Sequence, residues 1–293
     1  MPCMSPKEPV TSTPIDPLIS PPHLAQLLVG KRPPVVLDVR WTLAGADRAG
    51  YLEGHVPGAV FVDLDAELAS PVGDGTAGRH PLPDPQALQL VWRRAGIRAG
   101  DQVVAYDARD SSSAARAWWL LRWSGVADAR VLDGGFAGWR SAAGPVESGA
   151  GGAPAAGDVR VEPGGMVTVD AARAGELAAA GRLVDARAAA RYRGEVEPID
   201  PVAGHIPGAA SLPLTTLVDD VGAFRPVSEL RERFAAAGIR PGDTAAAYCG
   251  SGVTACHLVL GGAVAGIDLA LYPGSWSQWC AVGGPVETND PRR

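Results

Sequence analysis

Short aliphatic runs alternate with longer amphipathic stretches along most of this chain. PPVVLDV, from Pro33 to Val39, is a compact run of β-branched and apolar residues and predicts a buried strand. In DPQALQLVWRRAG the apolar Leu88, Val91 and Trp92 fall near helical spacing, and Gly96 marks the stop. QVVAY, ending at Tyr106, predicts a second strand, SAARAWWLLRWSG a helix closing at Gly125, and ARVLDGG a third strand. Strands separated by helices imply an α/β fold with a mainly parallel sheet, flanked by helices on both faces.

The pattern then repeats. VVLDVR (Val35 to Arg40) returns as RLVDAR (Arg182 to Arg187), and EGHVPGA (Glu53 to Ala59) as AGHIPGA (Ala203 to Ala209). AGIRAGDQVVAYD, ending at Asp107, returns as AGIRPGDTAAAYC, ending at Cys249. GGFAGW returns as GSWSQW, and GPVE closes both halves at Glu147 and Glu287. The order is kept and the offsets stay between 140 and 150 residues, so the chain reads as two tandem domains of one type. The expected boundaries are 16–147 and 167–287, joined by a Gly/Ala/Pro-rich linker, 148–166, after a loose tail over the first 15 residues. TAAAY in the second half is poor in strand propensity, but its partner QVVAY predicts that it too is a strand.

Composition narrows the classes. With 293 residues, 46% hydrophobic and 20% charged, the chain can bury full-sized cores. A formal charge of −6 with scattered basic residues gives no footprint for nucleic acid. The longest uncharged apolar run, Leu258 to Ile267, is too short to span a bilayer, and the N-terminus lacks the apolar core of a signal peptide. A cytoplasmic, reducing setting is the expectation. Of the four cysteines, Cys3, Cys249, Cys256 and Cys280, no pair has CxxC spacing and no Cys/His grouping resembles a zinc site. Neither metal nor cofactor is implied.

The chemistry concentrates at YCGSGVTACHLVLGG. Ligands of open α/β sheets bind beyond the carboxyl ends of the strands, where this segment places Cys249. The loop Gly250, Ser251, Gly252, Val253, Thr254, Ala255 can curl so that successive N–H groups face inward, and the following helix adds its positive end. Both features favour thiolate over thiol and would cradle a persulfide anion. The first half has Asp107 at the matching position, followed by ARDSSSAAR, and reads as a non-catalytic copy.

The tandem halves and the loop CGSGVTA resemble the rhodanese superfamily, in particular its two-domain thiosulfate and 3-mercaptopyruvate sulfurtransferases, over roughly residues 18 to 287. The resemblance implies that Cys249 carries sulfane sulfur as a persulfide from a small-molecule donor to a thiol such as a thioredoxin-like protein, or to cyanide. It implies that residues 250–255 form the persulfide cradle, and that Arg191, in RYRG, holds the anionic donor. CGSG is similar to the mercaptopyruvate branch, in which Ser251 would assist proton handling. The thiosulfate branch has basic residues at the positions of Gly250 and Ser251, absent here. The mercaptopyruvate branch has a second arginine after its EP dipeptide, where this chain reads Glu197-Pro198-Ile199-Asp200. Both donors therefore stay open.

His55 and His205 sit in paired GH(V/I)PGA motifs and are expected to be structural. A cleft-facing role for His55, with a weaker one for Asp47, is the alternative the mercaptopyruvate branch raises. Trp276 is a candidate pocket wall, and Cys256 a packing residue or, less favoured, a resolving thiol. Two other functions compete. A Cys-based phosphatase or arsenate reductase would need Cys-x5-Arg, and the residue six after Cys249 is Ala255. A non-catalytic binding module would have no need of the thiol, the glycines and Arg191.

Overall fold

The computed structural model describes residues 15–289. The tail expected over the first 15 residues, with Cys3, lies outside them but for Ile15. Five parallel strands form the first sheet, in the order Leu18–Ile19, Ala129–Leu132, Val103–Tyr106, Val35–Asp38 and Val60–Phe61. The second sheet repeats that order with Leu269–Leu271, Ala245–Tyr248, Leu183–Asp185 and Ala210–Ser211. Thr168 bridges Leu271 in parallel, taking the edge place of Leu18–Ile19. Even the register recurs, Asp38 opposite Tyr106 and Asp185 opposite Tyr248.

Side chains alternate across each central strand and so feed two cores. Val103 and Ala105, like Ala245 and Ala247, point into one apolar cluster shared by both halves. Val104 and Tyr106 face a second cluster with Leu24 and Trp139, while Ala246 and Tyr248 face a third with Leu177 and Trp276. All four residues of Ala245–Tyr248 are buried. Helices and neighbouring strands close in on this segment, and that context overrides its weak local propensity.

The shared core is built around two helices, Ala114–Trp123 and Ala255–Ala265, which lie against each other across the boundary between halves. Both are apolar almost all round, as a helix covered on every side must be. The peripheral helix Pro85–Arg94 is amphipathic instead: Asp84 accepts from the Gln86 and Ala87 N–H groups, Pro85 opens the first turn, and Leu88 and Trp92 are buried. The segment expected as a free linker runs as a strap over the first half. Gly157 N donates to Arg93 O (2.8 Å), Glu162 N to Ser124 O (3.0 Å), and Val159 is buried in the shared core. Among the described residues no helix is long and apolar enough to cross a membrane.

A core continuous across the boundary makes the halves one cooperative unit. Leu258→Ala, at a fully buried position of the central helix, is expected to cost about 2–5 kcal/mol. Urea unfolding followed by tryptophan fluorescence should show one transition shifted to lower urea; two separated transitions would contradict the shared core.

Candidate active site

Cys249 follows the strand Ala245–Tyr248 at its carboxyl end, and the loop after it turns at Gly252, whose φ of +84° only glycine adopts freely. A Cβ on Gly252 would also lie 2.2 Å from the Pro273 carbonyl oxygen, so both the turn and the close approach require glycine. The Gly252 N–H donates to Cys249 Sγ at 3.1 Å. The thiol is 1% exposed and belongs to the shared apolar cluster. The expected ring of amides is thus a single amide at the sulfur.

The first half shows what the same loop does around a longer side chain. Asp107 Oδ1 accepts from the Arg109 and Ser111 N–H groups, and Oδ2 from those of Ser113 and Ala114, all at 3.0–3.1 Å. Ser111 there adopts φ +64°, the conformation Gly252 takes in the second half. A carboxylate has two oxygens one bond beyond Cβ–Cγ and can gather four donors. The cysteine sulfur is a single acceptor on Cβ itself and reaches one. Burial still pushes the Asp107 carboxyl above the usual range, against the pull of those amides.

An arm of the first half, Ser70 to Pro83, completes the site. Gln278 Nε2 donates to Thr76 O (2.9 Å), Arg79 N donates to Ser277 Oγ (3.1 Å), and His80 Nδ1 lies 2.7 Å from Ser251 Oγ. His80 Nε2 is 3.0 Å from Asp65 Oδ1, and Trp41 Nε1 donates to the other Asp65 oxygen at 2.8 Å. A carboxylate can only accept, which puts the imidazole proton on Nε2 and leaves Nδ1 to accept from the Ser251 hydroxyl. Burial depresses the His80 pKa below its ordinary value, with the Asp65 hydrogen bond opposing it. The ring is therefore neutral at pH 7.

Arg116, fully buried on the central helix of the first half, ties arm to loop. Among the described residues it has no carboxylate partner; its guanidinium donates to the carbonyls of Leu68, His80 and Pro81 and, at 3.4 Å, to Gly252 O. Burial lowers its pKa, while the nearby Cys256 and Cys249 thiols act in the opposite sense.

The cleft above the loop has a volume of about 390 Å³ and is lined by Trp41, Arg79, Arg187, Arg191, Gly250 and Ser251, among others. Arg191 forks onto Glu197 (2.6 and 3.1 Å) and reaches Asp200 (3.2 Å), and Arg79 pairs with the other Asp200 oxygen. Arg187 is held by Asp185 in the same way as Arg40 by Asp38 in the first half. A larger hollow of about 630 Å³ lies along the strap, near Arg98, Asp128 and Glu162, but is lined by no cysteine among the described residues.

The alternative readings of several residues require correction. His55 does not face the cleft: it is fully buried, stacked on Tyr51, with Nδ1 2.9 Å from Tyr51 O and Nε2 3.8 Å from Glu147. His205 repeats every one of these contacts with Tyr192 and Glu287, so the motif holds a turn in both halves. Asp47 caps a helix by accepting from Gly50 N. Trp276 is buried behind the cleft, its indole donating to Val202 O and its ring under Arg187 at 4.6 Å. Cys256 donates to Gly252 O at 3.3 Å, and burial pushes its thiol up to about 12, far from the thiolate a resolving cysteine needs.

Sequence reasoning missed His80, Asp65, Arg79 and Arg116. One signal was present. The offset between halves is 150 at His55/His205 but 142 at Asp107/Cys249, so the first half carries eight extra residues in the stretch that contains the arm.

The geometry agrees with the comparisons. The Rhodanese-like domain model matches residues 20–142 and 170–282. A Mycobacterium tuberculosis protein assigned as thiosulfate sulfurtransferase SseB is 45% identical over 268 residues, 89% of this chain and 93% of that protein. A Pseudomonas aeruginosa protein assigned as a 3-mercaptopyruvate sulfurtransferase is 46% identical over 266 residues, 88% and 90% of the two chains. The crystal structure of SseA from Escherichia coli, described as a 3-mercaptopyruvate sulfotransferase, superposes with a TM-score of 0.77 at 30% identity, covering 89% of this chain and 98% of that one. The chain belongs to the rhodanese family, in its tandem form. Within that family it is a sulfurtransferase.

Replacing Arg116 by Met would leave the Leu68 and His80 carbonyls without their guanidinium donor, and an expected loss of about 1–3 kcal/mol follows. Urea melts of Arg116→Met and the parent measure it; equal midpoints would contradict the bridging role.

Proposed function

We propose that this sulfurtransferase takes sulfur from 3-mercaptopyruvate in preference to thiosulfate, and passes it to a thiol or cyanide through a persulfide on Cys249. The observation that carries the preference is the Ser251–His80–Asp65 relay beside the nucleophile.

In the mercaptopyruvate reaction the Cys249 thiolate attacks the donor sulfur, and the S–C bond breaks with its electron pair on carbon. The leaving group is an enolate, which must gain a proton to become pyruvate. The donor thiol loses one. Ser251, backed by His80, takes the proton from sulfur and returns it to carbon. Thiosulfate makes no such demand: attack on its outer sulfur releases sulfite with the S–S electron pair, and no proton moves. A relay poised at the nucleophile thus serves a carbon leaving group.

The persulfide extends the side chain by one S–S bond of about 2.05 Å. Its charge then reaches the depth at which the first-half loop gathers four amides around Asp107. That copy supports residues 250–255 as the persulfide cradle, and Asp107 in place of a thiol makes the first half non-catalytic. Arg191 holds the anionic end of the donor. In the second step an acceptor thiolate, such as that of a thioredoxin-like protein in a reducing cytoplasm, attacks the outer sulfur and restores the Cys249 thiolate; cyanide leaves as thiocyanate. Covalent splitting of this kind gives ping-pong kinetics.

Cys249→Ser is expected to abolish transfer from either donor while the fold persists by circular dichroism; turnover above background would refute the nucleophile. His80→Ala should lower kcat/KM for 3-mercaptopyruvate by about 10²-fold and leave thiosulfate nearly unchanged; equal losses would remove the argument for the relay. Protonated His80 cannot accept from Ser251, and its pKa is depressed. The acid limb of the mercaptopyruvate profile should therefore fall below His80's ordinary pKa of 6.5, and be missing in His80→Ala.

A further inference from the structure

The proton relay beside Cys249 ends on a carboxylate that the core does not hold. Asp65 lies on the short helix Leu64–Glu67, and its side chain is 45% exposed, against 14% for His80. A carboxylate with that much access to water turns about its side-chain bonds unless something fixes it. Trp41 supplies the restraint. Its Nε1 donates to Asp65 Oδ2 at 2.8 Å, while Oδ1 faces His80 Nε2 at 3.0 Å, so the two oxygens are divided between indole and imidazole.

Trp41 is itself firmly placed. It opens a short hairpin in which Trp41 pairs with Ala46 and Thr42 with Gly45, closed at its base by Asp47 N donating to Arg40 O (2.9 Å). Its ring packs on the apolar core shared by the two halves. It also meets the His80 imidazole edge-on, with centroids 5.8 Å apart and planes at 85°. Trp41 lines the cleft, whereas Asp65 and His80 do not. The indole therefore joins the cleft wall to the far end of the relay. The matching residue of the second half, directly after Arg187, is Ala188, which lines the same cleft with a side chain that offers no donor.

Polarity runs one way along these groups. An indole N–H can donate and never accept, and an ionised carboxylate can accept and never donate. Asp65 must therefore meet an N–H on either side, which makes Nε2 the protonated nitrogen of His80 and leaves Nδ1 to the Ser251 hydroxyl at 2.7 Å. We propose that Trp41 is the positioning residue of the relay: its indole pins Asp65 so that His80 keeps the tautomer able to accept the Ser251 proton. This rests on the relay reading of Ser251, His80 and Asp65 given above. The relay serves the reaction in which a proton moves, so the indole hydrogen bond matters for 3-mercaptopyruvate and not for thiosulfate.

The test is Trp41→Phe in the full chain, which keeps an aromatic wall and removes the indole N–H. Nitrogen NMR of isotope-labelled histidine, with the His80 signals assigned by their loss in His80→Ala, reads the tautomer directly. The parent should show Nε2 protonated and Nδ1 bare. In Trp41→Phe both signals should move toward the averaged positions of exchanging tautomers. In sulfur-transfer assays, Trp41→Phe should lower kcat for 3-mercaptopyruvate by about tenfold, the worth of one hydrogen bond to a charged group, with little change in KM or in thiosulfate turnover. Unmoved His80 signals overturn the assignment, as does an equal loss with both donors where His80→Ala is selective. Where His80→Ala itself slows both donors alike, the relay reading fails, and the ring signals alone decide whether Trp41 anchors Asp65.

Discussion

Among the described residues Arg116 has no carboxylate beside it, and a guanidinium wholly removed from water persists only where carbonyl dipoles replace its hydration. Those dipoles come from two directions: Leu68, His80 and Pro81 flank or belong to the arm, and Gly252 belongs to the nucleophile loop. The arrangement binds the arm to the loop because one guanidinium donates to both sets of carbonyls. Everything the arm brings to the cleft, His80 to Ser251 and Arg79 to Asp200, depends on that docking. The same guanidinium places a fixed positive charge near Cys249 and Cys256.

Duplication lets one loop be compared with itself. Its amides close on a carboxylate at Asp107, while at Cys249, among the described residues, the Gly252 amide alone meets the sulfur. The difference is one of reach, since a thiol is shorter than a carboxylate and offers one acceptor. The loop of the first half receives an anion through its amides. In the first half that anion is a permanent part of the chain; in the second, a sulfur nucleophile stands at its floor. Six residues after Cys249, where phosphoryl-transfer loops of similar plan need arginine, Ala255 is buried and starts the central helix.

Electrostatic sorting organises the cleft around this loop. Carboxylates sit in the protein behind each arginine, and the guanidiniums stand in front. Burial pushes the Asp200 carboxyl above its usual range despite two arginine neighbours, whereas at Glu197 the hydrogen bonds from Arg191 and from backbone N–H groups win, and its carboxyl falls below. Burial favours the neutral form of His80, and the carboxylate of Asp65 fixes its tautomer.

The sequence by itself determined the doubled α/β architecture, because hydrophobic periodicity and ordered self-similarity are local and additive along the chain. It also singled out Cys249 and its loop, since a cysteine at a strand end before glycines and a helix is a contiguous signal, and Arg191 through its motif. It could not single out His80, Asp65, Arg79 or Arg116. Those residues reach the site from another part of the chain through a segment without regular structure, whose course periodicity does not encode. His55 drew attention over His80 because motif context describes neighbours in sequence, whereas facing a cleft is a property of distance. Tertiary packing decided that second set: the apolar core shared by the two central helices fixes how the halves meet, and the meeting puts the arm at the sulfur.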